Sequence, residues 1–450
     1  MSSAALSVSP DAPAARVLVV GGGIAGLEIA TVLGRRWRRA GRGGRRRPAG
    51  APGVTLLDRD SAHVWKPMLH TIAAGTRDIA QQQTTYVAQA RDAGFVYQPG
   101  EISGLDRAQR LVHIAPLHAD DGRLLVPERT LPYELLVLAI GSQANDFGTP
   151  GVAEHCYAID SRLQADAFCR EVRLRMLQCL ALDQPLSIAI VGGGATGVEL
   201  AAELVQLTEA AVAYGAAGLA ERLTITLLEA GPRLLASFPQ DISAATQQRL
   251  QSLGVRVRTG TQVQAAQAEG FVLADGRLLD ATLKVWAAGV KGPAVLATLD
   301  GLESNRNHQL LVLPSLQTTR DERIYAVGDC ASLTLPGQER PLPPTAQVAH
   351  QQAQHLVRHL PGLLQDGRAV PDFRYRDFGA LVSLGDYDAF GSLGQFGFFD
   401  GGIIRGRLAQ LSHAMLYRSH QARLHGFWRG GLLWLADLIN ARVRPPIRLD

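Results

Sequence analysis

An α/β fold is predicted by one arrangement that occurs twice in this chain of 450 residues. An apolar run of strand length, a glycine triplet, a helical stretch, a second apolar run and an acid follow one another near the N-terminus. The same order returns from Leu186. Unbroken apolar runs of this length read as strands buried on both faces, the signature of a parallel sheet covered by helices.

The first copy opens with ARVLVV at 15–20 and enters Gly21, Gly23 and Gly26. A helix is expected from about Ile24 to Trp37, then a loop (GRGGRRRPAGAPG, 41–53), then a strand VTLLD at 54–58. In the second, LSIAIV at 186–191 enters Gly192, Gly194 and Gly197, with a helix to about Tyr214 and LTITLLE at 223–229. Gly26 to Asp58 and Gly197 to Glu229 both span 32 residues. The common spacing is about 20. An arginine-rich loop accounts for the excess in the first copy; a longer helix and AYGAAGLAE do so in the second. RLVHI, YELLVLAIGS, GVRVRTG, KVWAAGV and RIYAVGDCAS read as further strands, and 345–360 as a helix. Residues 1–14 are small, polar and Pro-containing, and are expected to lack order. From Phe373 the composition shifts to Gly, aromatics and Arg, which marks a third region.

Bulk properties set limits. At about 100–200 residues per domain, two to four domains are expected. Apolar residues make up 46% and charged residues 19%, an ordinary globular balance. The net charge of +4 is unevenly spread. Arg35, Arg36, Arg38, Arg39, Arg42, Arg45, Arg46 and Arg47 form one block without an acid, and Arg405–Asp450 is a second cationic stretch. Local basic surface suggests an anionic partner. Neither stretch carries a nucleic-acid-binding motif, so no nucleic acid is expected. Cys156, Cys169, Cys179 and Cys330 form no CxxC and fit a reducing compartment. His63 and His70 have no acid at ligand spacing, so no metal site is expected. The N-terminus is not a secretory signal, and no run of about 18 apolar residues could span a bilayer.

The glycine triplets match GxGxxG, weak alone but strengthened by a strand before and a helix after. Gly21 and Gly192 permit the tight turn. Gly23 and Gly194 let a pyrophosphate approach the backbone, and Gly26 and Gly197 let the helix pack on the strand. The phosphates would sit on the helix N-terminus. Asp58 and Glu229 end the second strands, where a carboxylate accepts from a ribose diol. Such an acid is often merely solvated; its occurrence twice at one topological place favours binding. Glu229 repels a 2′-phosphate, so NADH is favoured over NADPH, with Arg233 the residue that argues otherwise. FAD is expected on the first loop, which pairs with the turn Gly328–Asp329. Asp329 would bind the ribityl hydroxyls and the following helix would point at the flavin; the alternative for Asp329 is a plain helix N-cap.

VVGGGIAGLE, TLLDRDSAHVWKPMLH, IAIVGGGATGVELAAEL, TLLEAGPRLL, KVWAAGV, YAVGDCAS and AQVAHQ together resemble the bacterial type II NADH dehydrogenases, single-subunit NADH:quinone oxidoreductases. The resemblance runs from about Arg16 to the basic C-terminus. It implies two Rossmann-like domains, FAD-binding (15–180 and 291–370) and NADH-binding (181–290), and a membrane-binding region (371–450). Two electrons would pass from NADH through FAD to a membrane quinone without proton pumping, feeding the respiratory chain. It further implies that Gln347 and Gln351 line the quinone path, with Gln347 also beside FAD, and that Glu199 lies near the nicotinamide and assists quinone protonation. Ile24, Ala25, Lys66, Ile102 and Gly141 join the FAD set; Thr196, Ala288 and Gly289 join the NADH set. A homodimer on the cytoplasmic face of the bacterial inner membrane is implied.

Plain readings compete with these roles. Two glutamines four apart share a helix face and commonly mean solvated surface. Glu199 is favourably placed in the helix field. Trp286 suits packing. For the C-terminus, Leu408, Leu411 and Met415, then Leu432, Leu433, Trp434, Leu435, Leu438 and Ile439, lie among Arg405, Arg407, Arg418, Arg423, Arg429, Arg442 and Arg444. That pattern suits helices lying in an anionic membrane surface with Trp428 and Trp434 at headgroup level; a dimer interface or a core is the alternative. The arginine-rich loop is assigned to anionic lipid or another acidic surface. Three other functions are weighed: a disulfide reductase, which needs a cysteine pair missing from 60–75; a sulfide:quinone oxidoreductase, for which Cys156 and Cys330 would serve; and a dinucleotide-binding redox sensor.

Overall fold

The computed structural model describes residues 15–42, 53–77, 83–119, 121–385, 387–393 and 403–443. The chain divides into two compact units. The first comprises Met1–Val64, Gln83–Gln143 and Lys291–Tyr375; the second comprises Trp65–Gln82, Ala144–Val290 and Arg376–Asp450.

The first unit is built on a parallel sheet in the spatial order Asp321–Ala326, Arg129–Leu138, Ala15–Val20, Val54–Asp58, Val96–Pro99. Val17 pairs with Leu135 on one side and Val54 on the other. Val17, Leu18 and Val19 are fully buried, as an unbroken apolar strand requires. The strand order reverses beside Ala15–Val20, and ligands of open α/β sheets bind at such a switch point, outside the strands' carboxyl ends. An antiparallel pair, Ile102–Asp106 with Leu111–Ile114, extends from the long Arg129–Leu138 strand.

The second unit repeats the device. Its parallel sheet has the order Arg256–Arg258, Leu223–Leu228, Leu186–Val191, Leu283–Trp286. A three-stranded antiparallel sheet (Val263–Ala266, Gly270–Leu273, Leu278–Asp280) packs Phe271 and Leu273 into a cluster with Val191, Leu228 and Trp286. Further on come the strands Gly379–Leu384, Asp388–Leu393 and Ile403–Arg405, then the helices Arg407–His425 and Phe427–Val443.

Helix boundaries differ from the sequence reading in physically clear ways. The first glycine-loop helix spans Ile24–Arg42, five residues past Trp37. Arginine is a good helix former, Trp37 is buried, and Arg38 donates to the Arg91 carbonyl at 3.3 Å. The arginine block is thus helical through Arg42, while residues 43–52 of that loop and residues 1–14 lie outside the described residues. The helix expected at 345–360 spans Ala346–Asp366. It runs through Pro361, because Leu360 and Pro361 are buried, and ends where Gly367 turns left-handed at φ 68°. Thr345 caps it by accepting from Val348 N at 3.3 Å.

Candidate nucleotide-binding sites

In the first unit, Gly21 takes φ 99°, and a β-carbon there would overlap the Ala139 carbonyl. A β-carbon on Gly26 would overlap Gly21 O, so helix and loop touch backbone to backbone. Gly23 differs: its β-carbon would meet nothing nearer than 3.9 Å, which leaves room for a ligand. Asp58 accepts from Gly22 N and, at 2.7 Å, from Asp60 N, so the acid closes the loop it was expected to face. Burial pushes its carboxyl up to about 6 despite the two backbone donors. Tyr86 OH donates to Gly22 O at 2.9 Å, and His63 Nδ1 lies 3.0 Å from the same oxygen. Tyr86 was not singled out from the sequence and His63 was weighed only as a metal ligand; both arrive from distant segments.

The second loop has the same construction. Gly192 takes φ 116° with a would-be β-carbon 2.6 Å from the Ala287 carbonyl, and Gly197 abuts Gly192 O. Gly194 is the helix N-cap, exposed, with no side-chain cap and open space around its missing β-carbon. First-turn N–H groups left without a side-chain acceptor suit an anion. Glu229 accepts from Gly193 N and Gly231 N, both at 2.6 Å. Arg233 donates to the carbonyls of Leu235, Ala236 and Phe238 (3.3, 2.6 and 2.9 Å), so its guanidinium is engaged within its own loop. Thr196 is exposed in the first helical turn. Ala288 and Gly289 follow Ala287 at the loop edge, and Gly289 accepts from Asn145 N at 3.2 Å. Trp286 donates its indole N–H to Asn145 O at 2.8 Å and is 4% exposed, a packing role.

The Gly328–Asp329 turn corrects one expectation. Asp329 caps no helix: it sits in a single 3₁₀ turn, Gly328–Cys330, and the next helix begins only at Ala346. Asp329 accepts from Ser142 Oγ at 2.7 Å, while Gly328 N donates to Gln352 Oε1 at 2.7 Å. Gly141 lies one residue before Ser142, with open space where a side chain would be. Ile102 is 4% exposed within the sheet pair of the first unit. The residues Gly21–Ala25, Asp58, Gly141 and Asp329 therefore fit a second dinucleotide: an open glycine approach, a strand-end acid, and a carboxylate on a glycine turn.

Gln347 and Gln351 are half-buried, and Gln347 Nε2 donates to Tyr375 OH. On the same helix Gln352 is 1% exposed, and His350 Nδ1 lies 2.6 Å from Glu28 Oε2 of the first glycine-loop helix. Lys66 starts a 3₁₀ turn in the second unit; beside it Trp65 packs at a tilt of 41° against His420, ring centres 4.3 Å apart.

Glu199 is a strongly perturbed acid of the second unit. It is 6% exposed and accepts from Ser383 N at 3.0 Å, and burial pushes its carboxyl up to about 8. Helix-field placement alone would not bury it. The cysteines are poor nucleophiles: burial lifts Cys156 to about 12 and Cys330 to about 11, and the two belong to different units.

At the C-terminus, Trp428 is 83% exposed, and Leu432, Trp434, Leu435, Leu438, Ile439 and Val443 are also exposed on one helix. Leu433 and Met415 are exposed as well; the side chains of Leu408 and Leu411 lie outside the described residues. Arg418, one of the basic residues expected to meet lipid phosphate, is already engaged in an ion pair. It pairs with Asp437 at 2.6 Å and neutralises the acid of that helix. No described helix is long and apolar enough to cross a membrane.

Two glycine-loop sheets, each closed by a strand-end acid, mark the nucleotide-binding fold of an oxidoreductase. The pyridine nucleotide-disulphide oxidoreductase family model matches residues 15–353. A type II NADH:quinone oxidoreductase of Haemophilus influenzae is 40% identical, covering 96% of this chain and 99% of that one. One from Staphylococcus saprophyticus is 29% identical over 84% of this chain and 89% of its own. The Plasmodium falciparum NDH2 structure solved with NADH has the same fold, with a TM-score of 0.78 at 18% identity over 96% of this chain and 99% of that one. The chain belongs to the pyridine nucleotide-disulphide oxidoreductases and, within them, to the type II NADH:quinone oxidoreductases.

Proposed function

We propose that the protein oxidises NADH and reduces a membrane quinone by two electrons through FAD, without pumping protons. The observation that carries this reading is the doubled loop: open backbone at Gly23 and Gly194, each braced by an acid on the neighbouring N–H. The first unit would hold FAD through Gly21–Gly26, Asp58, Gly141 and Asp329, and Gln347 and Gln351 would line the quinone path. When bound, the flavin supplies a two-electron carrier between a hydride donor and a quinone. The second unit would hold NADH through Gly192, Gly194, Thr196, Gly197, Glu229, Ala288 and Gly289. Glu229, already accepting two backbone N–H groups, keeps lone pairs for a ribose diol and disfavours a 2′-phosphate. Arg233 does not offset that, since its donors are committed to carbonyls. Glu199 is protonated near neutral pH and is the second unit's proton donor for quinone reduction.

The exposed apolar face of Phe427–Val443 supports attachment to a membrane surface, with that helix lying in the interface. We assign the protein to the cytoplasmic face of the bacterial inner membrane. Truncation near Gly401 tests this attachment. Retained NADH oxidation with water-soluble acceptors and lost activity with a long-chain quinone are expected; full activity with the long-chain quinone would contradict it.

A further inference from the structure

Three segments of the second unit converge on Glu199. The short helix Leu69–Ala73 brings His70, whose Nδ1 lies 3.4 Å from Glu199 Oε2. The glycine-loop helix carries Glu203 one turn beyond Glu199, and both residues are 6% exposed. The Gly379–Leu384 strand contributes Ser383 N to Glu199 Oε1 and continues into Gly385, where a β-carbon would come within 2.5 Å of Gln206 Oε1. Thr76 Oγ donates to Glu203 Oε2, and Thr76 is half-buried next to the exposed Arg77. His70 itself is 4% exposed.

Two carboxyls and an imidazole so close, and so dry, cannot titrate independently. Like charges one turn apart disfavour full ionisation, and an imidazole beside a carboxyl gives the proton a second place to rest. The helix Arg162–Ala181, packed on the Leu69–Ala73 helix, turns Cys169 and Arg173 toward Gly75. Beyond the cluster Tyr387 donates to Glu209, under the guanidinium of Arg249. Neither arrangement places a side-chain acceptor between His70 and Glu199.

We propose that His70 shares one proton with Glu199 and is a residue of the proton path, with Glu203 and Thr76 linking the pair to solvent. This rests on the quinone-reductase reading and deepens it. Overall, NADH, one proton and quinone give NAD⁺ and quinol. In the step assigned here, the Glu199 O–H bond breaks and an O–H bond forms on the quinone oxygen that has received the electrons of NADH. A proton from His70 then restores Glu199, and water restores His70 by way of Thr76 and Glu203. His70 acts through Glu199 and is thus a positioning and proton-supplying residue.

The test uses purified, cofactor-loaded full-length protein. The protonated-carboxyl band of Glu199, assigned by its loss in Glu199→Gln, is followed by infrared spectroscopy against pH. The imidazole of His70, assigned in His70→Gln, is followed by nitrogen NMR. An imidazolium favours the neighbouring carboxylate, so His70→Gln should raise the Glu199 midpoint by about 1 pH unit, a tenfold change in acidity. Glu199→Gln should lower the His70 midpoint by the same amount, because coupling is reciprocal. If His70→Gln fails to fold, the wild-type protein still decides: both probes should show the same two inflections. Independent single inflections, or midpoints that ignore the other residue's removal, would overturn the proposal. Stopped-flow measurement then separates the half-reactions. His70→Gln should leave reduction by NADH within twofold, slow reoxidation by quinone at least tenfold, and shift that step's pH profile. An unmoved reoxidation profile would overturn the assignment to the proton path. If quinone fails to reoxidise even the wild type, the quinone reading fails, and the spectroscopic coupling still decides whether the proton is shared.

Discussion

Replacing Gly194 by valine should abolish tight NADH binding while leaving the fold intact. Gly194 has φ −74° and ψ −179°, an extended backbone that valine adopts without strain. No protein atom lies within 4 Å of its missing β-carbon. Stability should therefore change by no more than about 0.5 kcal/mol, as for other surface positions. The added methyls fill the approach to the helix's first N–H groups, where the account seats the pyrophosphate. A charge-assisted hydrogen bond contributes about 1.5–3 kcal/mol, so losing one or two predicts at least a tenfold rise in Kd for NADH. Gly197→Ala provides the contrast. Its β-carbon would overlap the backbone oxygen of Gly192, which cannot yield without moving the strand end. It should therefore cost on the order of 1–3 kcal/mol of stability as well as affinity. Chemical denaturation and an NADH titration by isothermal calorimetry give both quantities for each variant. Unchanged NADH affinity in Gly194→Val would refute the assignment of that backbone to the phosphates.

Three further outcomes are expected. Glu199 has a carboxyl raised from 4.5 to about 8, so its ionisation opposes folding, and the penalty grows as pH rises from 4.5 through 8. Glu199→Gln should thus be more stable than wild type at pH 9, by up to a few kcal/mol, and equal to it near pH 4; denaturation midpoints at the two pH values check this. Replacing Trp434 and Leu435, both 53% exposed, with serine should weaken partition onto anionic vesicles at least tenfold. Burial of each large apolar side chain contributes about 1.5–3 kcal/mol, and sedimentation with the vesicles measures the loss. Glu229→Gln keeps the size of the side chain but removes its charge, so the ratio of kcat/KM for NADH over NADPH should fall by about tenfold; an unchanged ratio would remove Glu229 from nucleotide selection.

Much of the fold was legible because its signals are local. ARVLVV and LSIAIV are strands by composition, and the glycines after them were assigned the roles that sterics confirm at Gly21, Gly26, Gly192 and Gly197. Helix ends were less legible, since Trp37 and Pro361 are overridden by burial that a local pattern does not contain. What the sequence concealed is long-range. The His70–Glu199 pair joins residues 129 positions apart, and spacing along the chain gives no hint of it. Tyr86 and His63 on the Gly22 carbonyl are of the same kind. The pairing of Arg418 with Asp437, 19 residues further on in the next helix, is likewise invisible to a count of basic residues.

The central claim is that electrons pass from a nucleotide on the Gly192–Glu229 loop, through a flavin on the Gly21–Asp58 loop, to a quinone. Anaerobic titration of the purified protein with NADH, followed by quinone, tests it most directly. The account predicts a yellow protein whose flavin absorbance is bleached by one equivalent of NADH per bound flavin and restored by one equivalent of quinone. A protein that binds no flavin, or whose bleached flavin quinone does not restore, would contradict it.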